Sequence, residues 1–245
     1  MGPRLPAAYR LVSFEAVGST NDEAKRLART GAADGTLVWA KTQTAGRGRR
    51  GRRWVSPPGN LYLSLILRPA CPAGRAAQLG FVAALAVGDT LAGVARLFYK
   101  WPNDVLVTGR KIAGILLESE MGSGAALAFL VVGVGVNLAS APDDSEFPAT
   151  SVAAETGGAP DPAAALEAFA THFEAWSERW RSDGFAPVRR AWRARVAGLG
   201  EPIRVRLDNA TLAGRFIDID DDGALLLETG AERRRIAAGE VFPAA

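Results

Sequence analysis

Apolar and polar positions alternate from Tyr9 to Val17, which predicts a strand. Ser19-Thr20-Asn21-Asp22-Glu23 then sets a capping residue ahead of two acids, so a helix is expected to start there and to end at Gly31. Thr36 to Thr42 and Asn60 to Leu67 (NLYLSLIL) read as two further strands. Gly74 to Leu97 reads as one long helix, with Leu79, Val82, Leu85, Ala86 and Val94 on one side. Phe98 to Asp104 is a strand end entering a turn, and Asp104 to Glu120 is a hairpin around Thr108-Gly109-Arg110. Ala126 to Leu138 reads as a buried strand and Pro142 to Pro148 as a polar loop. Asp161 to Arg181 predicts an amphipathic helix, capped by Asp161 with Pro162 in its first turn. Phe169, Phe173, Trp176 and Trp180 fall at helical spacing along it, as a packing stripe would. A further helix is expected over Phe185 to Val196. From Ile203 the texture changes to short alternating strands divided by Asp222-Gly223 and Thr229-Gly230, which suggests a small barrel-like module.

Composition changes this picture little. The 245 residues allow one large domain, or one large and one small. Hydrophobic residues make up 48% and charged ones 22%, as in soluble globular proteins. A formal charge of +3 is too weak to imply nucleic acid by itself. Cys71 is the only cysteine and His172 the only histidine, so neither a cysteine-rich nor a histidine-based metal site is expected, and a His-dependent hydrolase triad is disfavoured. The N-terminus lacks the apolar core of a secretory signal, and Pro6 breaks the myristoylation pattern. The longest apolar run, Ala125 to Leu138, is too short to span a bilayer. A soluble cytoplasmic protein is the expectation.

The chemistry concentrates in four places. Thr42 to Trp54 (TQTAGRGRRGRRW) holds five arginines and three glycines. Gly46, Gly48 and Gly51 match the dinucleotide fingerprint in spacing. That fingerprint needs a helix directly after it and an acid about 20 residues on. Here Pro57-Pro58 follows, and no acid occurs between Asp34 and Asp89, so the dinucleotide reading fails. Every charge from Gly35 to Gly88 is positive, and like charges should keep the loop mobile until an anion arrives. A solvated basic loop or an RNA-binding segment is the plainer reading of such a run. Lys100-Trp101-Pro102-Asn103-Asp104 brings a cation, an amide and a carboxylate to a strand end. Lys111 opens the apolar strand Lys111 to Leu116, where Gly114 would admit a flat ligand. Gly133 and Gly135 clear side chains from one face of a buried strand, leaving either a slot or a tight packing contact.

Taken in this order, Ser19-Thr20-Asn21, Gln43 through Trp54, Lys100 through Asp104, Lys111 through Leu116 and Gly133 through Asn137 resemble the biotin protein ligases. The likeness runs over nearly the whole chain. It implies an α+β catalytic domain, a mixed sheet with packed helices like that of class II synthetases, over residues 1–197. An SH3-like barrel follows over 198–245. The departure is at the front: some family members carry an N-terminal winged helix-turn-helix, and the stretch before Ser19 is too short for one, so no specific DNA partner is expected. The implied reaction joins biotin to ATP, with Mg²⁺ carried on the nucleotide, and then passes biotin to a lysine of the biotin carboxyl carrier protein. The resemblance assigns Lys111, Arg47 and Arg49 to catalysis. It places Ser19, Thr20, Asn21, Gln43, Gly46, Gly48, Gly114 and Gly133, with Arg47, Arg49 and Lys111, around biotin. It places Arg50, Arg52, Trp54, Lys100, Asn103, Asp104 and Asn137, with the same three cations, around ATP. Trp54 would cover the adenine. The alternatives are a lipoate or octanoate ligase on the same kind of scaffold and, in a different class, a nucleic-acid-binding module. A homodimer is conceivable through edge pairing along Ile112 to Glu118.

Overall fold

The computed structural model describes residues 2–122, 126–143 and 147–244. Its larger sheet has seven strands: β1 (Arg10–Val17), β2 (Thr36–Gln43), β3 (Leu61–Leu67), β4 (Leu97–Lys100), β5 (Asp104–Val107), β6 (Arg110–Met121) and β7 (Leu127–Val136). They lie in the order β1-β2-β3-β7-β6-β5-β4, with β1 and β2 parallel and the other pairs antiparallel. The central strands β3 and β7 are nearly continuous apolar runs because both of their faces are covered. Helix α1 (Thr20–Arg29) covers one face, packing Ala24 and Ala28 on Val38, Ile66 and Val131. The other face carries α3 (Leu79–Thr90), backed by α5 (Pro162–Asp183) and α6 (Phe185–Arg193), and holds the main core. Alanines at 83, 84 and 86 of α3 permit the close approach. Phe81 meets Phe185 and Trp192 edge-on at 5.3 and 5.1 Å.

Two expectations change. The single helix over Gly74 to Leu97 is instead a short turn, α2 (Ala73–Ala76), then α3, which stops at Thr90. Leu91 and Val94 are buried as turn residues, and Leu97 opens β4, so apolar spacing alone ran across the break. The edge expected along Ile112 to Glu118 is closed only in its first part: β6 pairs with β7 from Ala113 to Met121 and with β5 over Arg110–Gly114, which leaves the second edge of Leu116–Glu118 outside the strand ladders. A short helix that periodicity did not reveal, α4 (Val152–Thr156), is capped by the Ser151 hydroxyl and closed by Gly157 at φ +83°. Ala125 of the apolar run and residues 144–146 of the polar loop lie outside the described residues.

The smaller sheet is antiparallel, in the order β11 (Glu232–Ile236), β10 (Leu225–Thr229), β9 (Thr211–Ile219), β8 (Pro202–Arg206), β12 (Glu240–Pro243). The Ala197 amide bonds Tyr99 in the large sheet, and the Gly200 amide bonds Phe216 in the small one. The β9–β10 turn plugs into the larger unit. Trp101 Nε1 donates to the Gly223 carbonyl at 3.0 Å and Gln78 Nε2 to that of Asp221 at 3.2 Å. Gly223 sits at φ +90°, and a Cβ there would lie 2.7 Å from the Phe81 ring, so only glycine fits. The fold is thus a mixed α+β sheet domain followed by a small β module. Among the described residues no helix is long and apolar enough to cross a membrane.

Candidate active site

A cleft of about 500 Å³ opens where β6 and β7 meet α1, the arginine loop and β12. Its floor is made of glycine. Gly114 and Gly135 are ladder partners on β6 and β7. The expected slot is filled by the chain itself. The Trp54 indole lies on this floor, so that a Cβ at Gly135 would come within 2.6 Å of it and one at Gly114 within 3.2 Å. Gly133 makes room for the Asn21 amide in the same way.

One wall is uncharged and polar. Ser19 sits at the N-cap position of α1, yet its hydroxyl caps nothing and instead lines the cleft. Ser19, Thr20 and Asn21 are almost fully buried. Gln43 Oε1, at the end of β2, accepts from the Thr20 amide at 2.8 Å and lies 3.1 Å from the Thr20 hydroxyl. Gln43 Nε2 donates to Ser56 Oγ at 2.9 Å, and Ser56 donates to the Trp54 carbonyl at 3.0 Å. On the other side Ser64 Oγ lies 2.8 Å from Thr20 Oγ1 and 2.6 Å from Asn21 Oδ1. Asn21 Nδ2 donates to Glu118 at 2.8 Å.

The opposite end is charged. Lys111 Nζ stands 2.6 Å from Asp104 and 5.3 Å from the centre of the Trp54 ring. Arg49 Nη1 donates to Asn103 Oδ1 and to the Gly239 carbonyl, both at 3.2 Å. Burial lowers the Arg49 pKa and the nearby Asp104 charge opposes this. Lys100 Nζ lies 4.3 Å from the centre of the Phe147 ring. Asn137 Nδ2 donates to the Thr150 carbonyl at 3.0 Å, which ties the end of β7 to the neighbouring loop.

The loop's positive charge is met by carboxylates far off in sequence, which is why the self-repulsion expected of it is answered in the fold. Arg47 pairs with Asp22 at 2.5 Å and with Glu118 at 3.1 Å. Arg50 pairs with Asp208 at 2.7 Å, and Arg52 with Glu240. Gly48 N to Arg52 O at 2.7 Å and Trp54 N to Gly46 O at 2.8 Å close the loop on itself. Burial pushes the Glu118 carboxyl up, but bonds from Lys25 and Asn21 and the Arg47 charge outweigh it and hold the group below its ordinary value.

The cleft wall includes Ser19, Thr20, Asn21, Gln43, Arg47, Gly48, Arg49, Arg52, Trp54, Lys100, Asn103, Asp104, Lys111, Gly114, Gly133 and Asn137. Gly46 and Arg50 stand back from it. Gly46 serves as a close-approach point under the Trp54 carbonyl. Arg50 faces a second hollow beside the smaller sheet, with Arg206, Asp208 and Glu240. Asp22, Lys25, Ser64, Glu118 and Glu240 had no motif to mark them. Ser64, a lone hydroxyl inside NLYLSLIL, was the readable clue.

A profile of the biotin/lipoate A/B protein ligase family matches residues 13–137. The chain belongs to that family. A profile of the biotin protein ligase C-terminal domain matches residues 198–242. A biotin–acetyl-CoA-carboxylase ligase of Paracoccus denitrificans is 51% identical over 233 residues, covering 91% of this chain and 96% of that protein. The bifunctional ligase/repressor BirA of Bacillus subtilis is 36% identical over 240 residues, covering 94% of this chain and 73% of that protein. Among solved members of the family, the Aquifex aeolicus biotin protein ligase in complex with biotin and ATP superposes with a TM-score of 0.82 at 27% identity, covering 95% of this chain and 97% of that one.

Proposed function

We infer that this cleft activates biotin with ATP and passes it to a protein lysine, so that the chain is a biotin ligase. The biotin carboxylate attacks the α-phosphate of ATP, forming biotinoyl-5′-AMP and releasing pyrophosphate. A lysine amine of a biotin carboxyl carrier protein then attacks the mixed anhydride, and AMP leaves. The observation that carries this reading is the meeting, in one cleft, of a buried uncharged polar wall with a lysine and arginines at the other end. A buried neutral urea needs paired donors and acceptors, which Ser19, Thr20, Asn21 and Gln43 offer. Carboxylate and triphosphate repel, and only concentrated positive charge brings them together.

In our assignment Lys111 stabilises the charge that develops at the α-phosphate, with Arg49 at the same end of the cleft and Arg47 swinging in from its pairs with Asp22 and Glu118. Gly46 and Gly48 let the loop backbone approach biotin, and Gly114 and Gly133 give its slot depth. Trp54 lifts from the glycine floor to cover the adenine, and Asn137 steadies the adenylate. Lys100, Arg50 and Arg52 receive the outgoing phosphates, the two arginines exchanging Asp208 and Glu240 for them. Magnesium enters as part of the substrate MgATP, with Asn103 and Asp104 as its proposed support. A division at 197/198 into catalytic and SH3-like domains is the proposed organisation. The proposed setting is the cytoplasm, where ATP and carboxylase carriers meet, with no DNA sequence read. Any homodimer must use a surface other than Ala113–Gly114, which is paired on both sides.

The test is pyrophosphate exchange into ATP. Exchange that requires biotin, and that lipoate does not support, is the expected outcome. Exchange driven by lipoate or octanoate alone would move the chain to the other branch of its family. Salt-sensitive nucleic-acid binding without biotin-dependent exchange would overturn the enzyme reading altogether.

A further inference from the structure

The polar wall is a single chain of hydrogen bonds, and its direction is the point of interest. From one end, the Trp54 carbonyl can only accept, so Ser56 donates to it and accepts from Gln43 Nε2. That turns Gln43 Oε1 toward Thr20. From the other end, the Glu118 carboxylate can only accept, so Asn21 turns Nδ2 toward it and Oδ1 toward Ser64. Ser64 has one proton and must give it to Asn21 Oδ1. Its lone pairs then accept from the Thr20 hydroxyl at 2.8 Å, a shorter contact than the 3.1 Å to Gln43 Oε1. A lone pair on Thr20 Oγ1 and one on Gln43 Oε1 stay unused at the cleft wall. Those are acceptors, the groups that the N–H donors of a cyclic urea require.

We propose that Glu118, which the cleft wall does not include, is a positioning residue for biotin recognition: its charge sets the direction of the Asn21–Ser64–Thr20 chain and so keeps acceptors facing the ligand. The proposal rests on the biotin reading above. Its surroundings make the role specific. Glu118 Oε1 receives Lys25 Nζ at 2.8 Å, and Oε2 receives both Asn21 and Arg47. In Glu118→Gln the one remaining oxygen must answer the lysine, so the new amide turns its N–H toward Asn21. Asn21 is then driven to flip, presenting Oδ1 to residue 118 and donating from Nδ2 to Ser64, at the cost of its longer 3.4 Å bond to the Leu116 carbonyl. Ser64 in turn donates to Thr20, and Thr20 donates to Gln43. The whole chain reverses: Gln43 Oε1, already holding the Thr20 amide, takes the Thr20 hydroxyl as well and loses its spare lone pair, and Thr20 Oγ1 is left with one lone pair of its two.

The consequence can be reversed chemically. Asn21→Asp placed in the Glu118→Gln background restores an acceptor-only group next to Ser64, while residue 118 donates to its other oxygen. Net charge is the same as in the wild type. The experiment measures kcat and the separate KM values for biotin and ATP by pyrophosphate exchange, for the wild type, Glu118→Gln, and Glu118→Gln with Asn21→Asp. Glu118→Gln is expected to raise KM for biotin about tenfold, the scale of one lost hydrogen bond, and to leave KM for ATP within about twofold. The double variant is expected to recover most of the biotin KM. A biotin KM within about twofold of wild type in Glu118→Gln overturns the proposal. So does a double variant no better than the single, or an equal rise in both KM values, which would mark a merely structural residue. If Glu118→Gln fails to fold, the folded double variant is compared with Asn21→Asp alone, where two carboxylates meet; a biotin KM in the double variant no lower than in Asn21→Asp overturns the proposal. No biotin-dependent exchange in the wild type would instead defeat the functional reading itself.

Discussion

Replacing Lys111 by methionine separates two effects that the structure ties together. The ammonium sits 2.6 Å from Asp104, with the two side chains 22% and 12% exposed. Stranding a fully buried carboxylate costs about 3–5 kcal/mol. This pair faces the open cleft, so a loss of about 1–2 kcal/mol of stability is the expectation after discounting for solvent. For a chain of this size that lowers the melting temperature by about 2–8 °C. The effect on chemistry is larger. Removing one preorganised charge donor raises the barrier by about 2–4 kcal/mol, a loss of about 30- to 1,000-fold in single-turnover adenylation. Adding Asp104→Asn removes the stranded charge, so the double variant should melt near the wild type. It should be at least as slow as Lys111→Met, because the missing cation is not replaced and the proposed support for magnesium is lost as well. An adenylation rate within a few-fold of wild type in Lys111→Met would refute the assignment of Lys111. A double variant that regains the rate would refute it equally, since the defect would then lie in the stranded carboxylate.

Three further outcomes follow from the geometry. Gly135→Ala should displace the Trp54 indole and cost about 1–3 kcal/mol in denaturant unfolding; a variant as stable as the wild type, with unchanged tryptophan emission, would mean that the indole does not rest on that floor. Trypsin should cut the arginine loop between Gly46 and Trp54 more slowly with saturating biotin and ATP, because cleavage tracks the open population when opening is fast. A tenfold slowing corresponds to about 1.4 kcal/mol of ligand-driven closure, and equal rates would show that the loop does not close over the ligand. Glu118 and Asp22 both have folded-state pKa values below their ordinary ones: burial, which raises each, is outweighed at Glu118 by Lys25, Asn21 and Arg47, and at Asp22 by Lys25 and Arg47. Their contribution to stability is therefore complete above the ordinary carboxylate range and is lost as pH falls from there through their lowered folded-state values. The difference in unfolding free energy between wild type and Glu118→Gln should shrink steadily as pH falls below the ordinary carboxylate range; a difference that does not change with pH there would place the stabilisation elsewhere.

Most strands were legible because their apolar runs are long and bounded by turn residues, as in NLYLSLIL and in Leu127–Val136. The helix over Gly74 to Leu97 was overdrawn for the same reason: Leu91, Val94 and Leu97 keep helical spacing although the chain has left the helix by Thr90. The motif residues could be named in advance because their types are rare in apolar surroundings. What the sequence hid was their partners. Arg47 meets Glu118 across 71 positions, and Arg49 meets the Gly239 carbonyl across 190. Such contacts are created by sheet order and by the docking of the second module, and no local pattern encodes them. The glycine slot shows the same limit. Gly114 and Gly135 announced a missing side chain, but only their ladder pairing puts the two vacancies side by side, and only the return of the loop fills them with Trp54.

The chemistry turns on one intermediate. Incubating the chain with biotin and MgATP in the absence of any carrier protein, removing unbound ligand and extracting what stays bound for mass spectrometry tests it directly. The cleft is expected to retain biotinoyl-5′-AMP at about one molecule per chain, and the bound compound should vanish as an acceptor carrier domain becomes biotinylated on lysine. Recovery of unreacted biotin and ATP alone, or of lipoyl-AMP when both acids are offered in equal amounts, would contradict it.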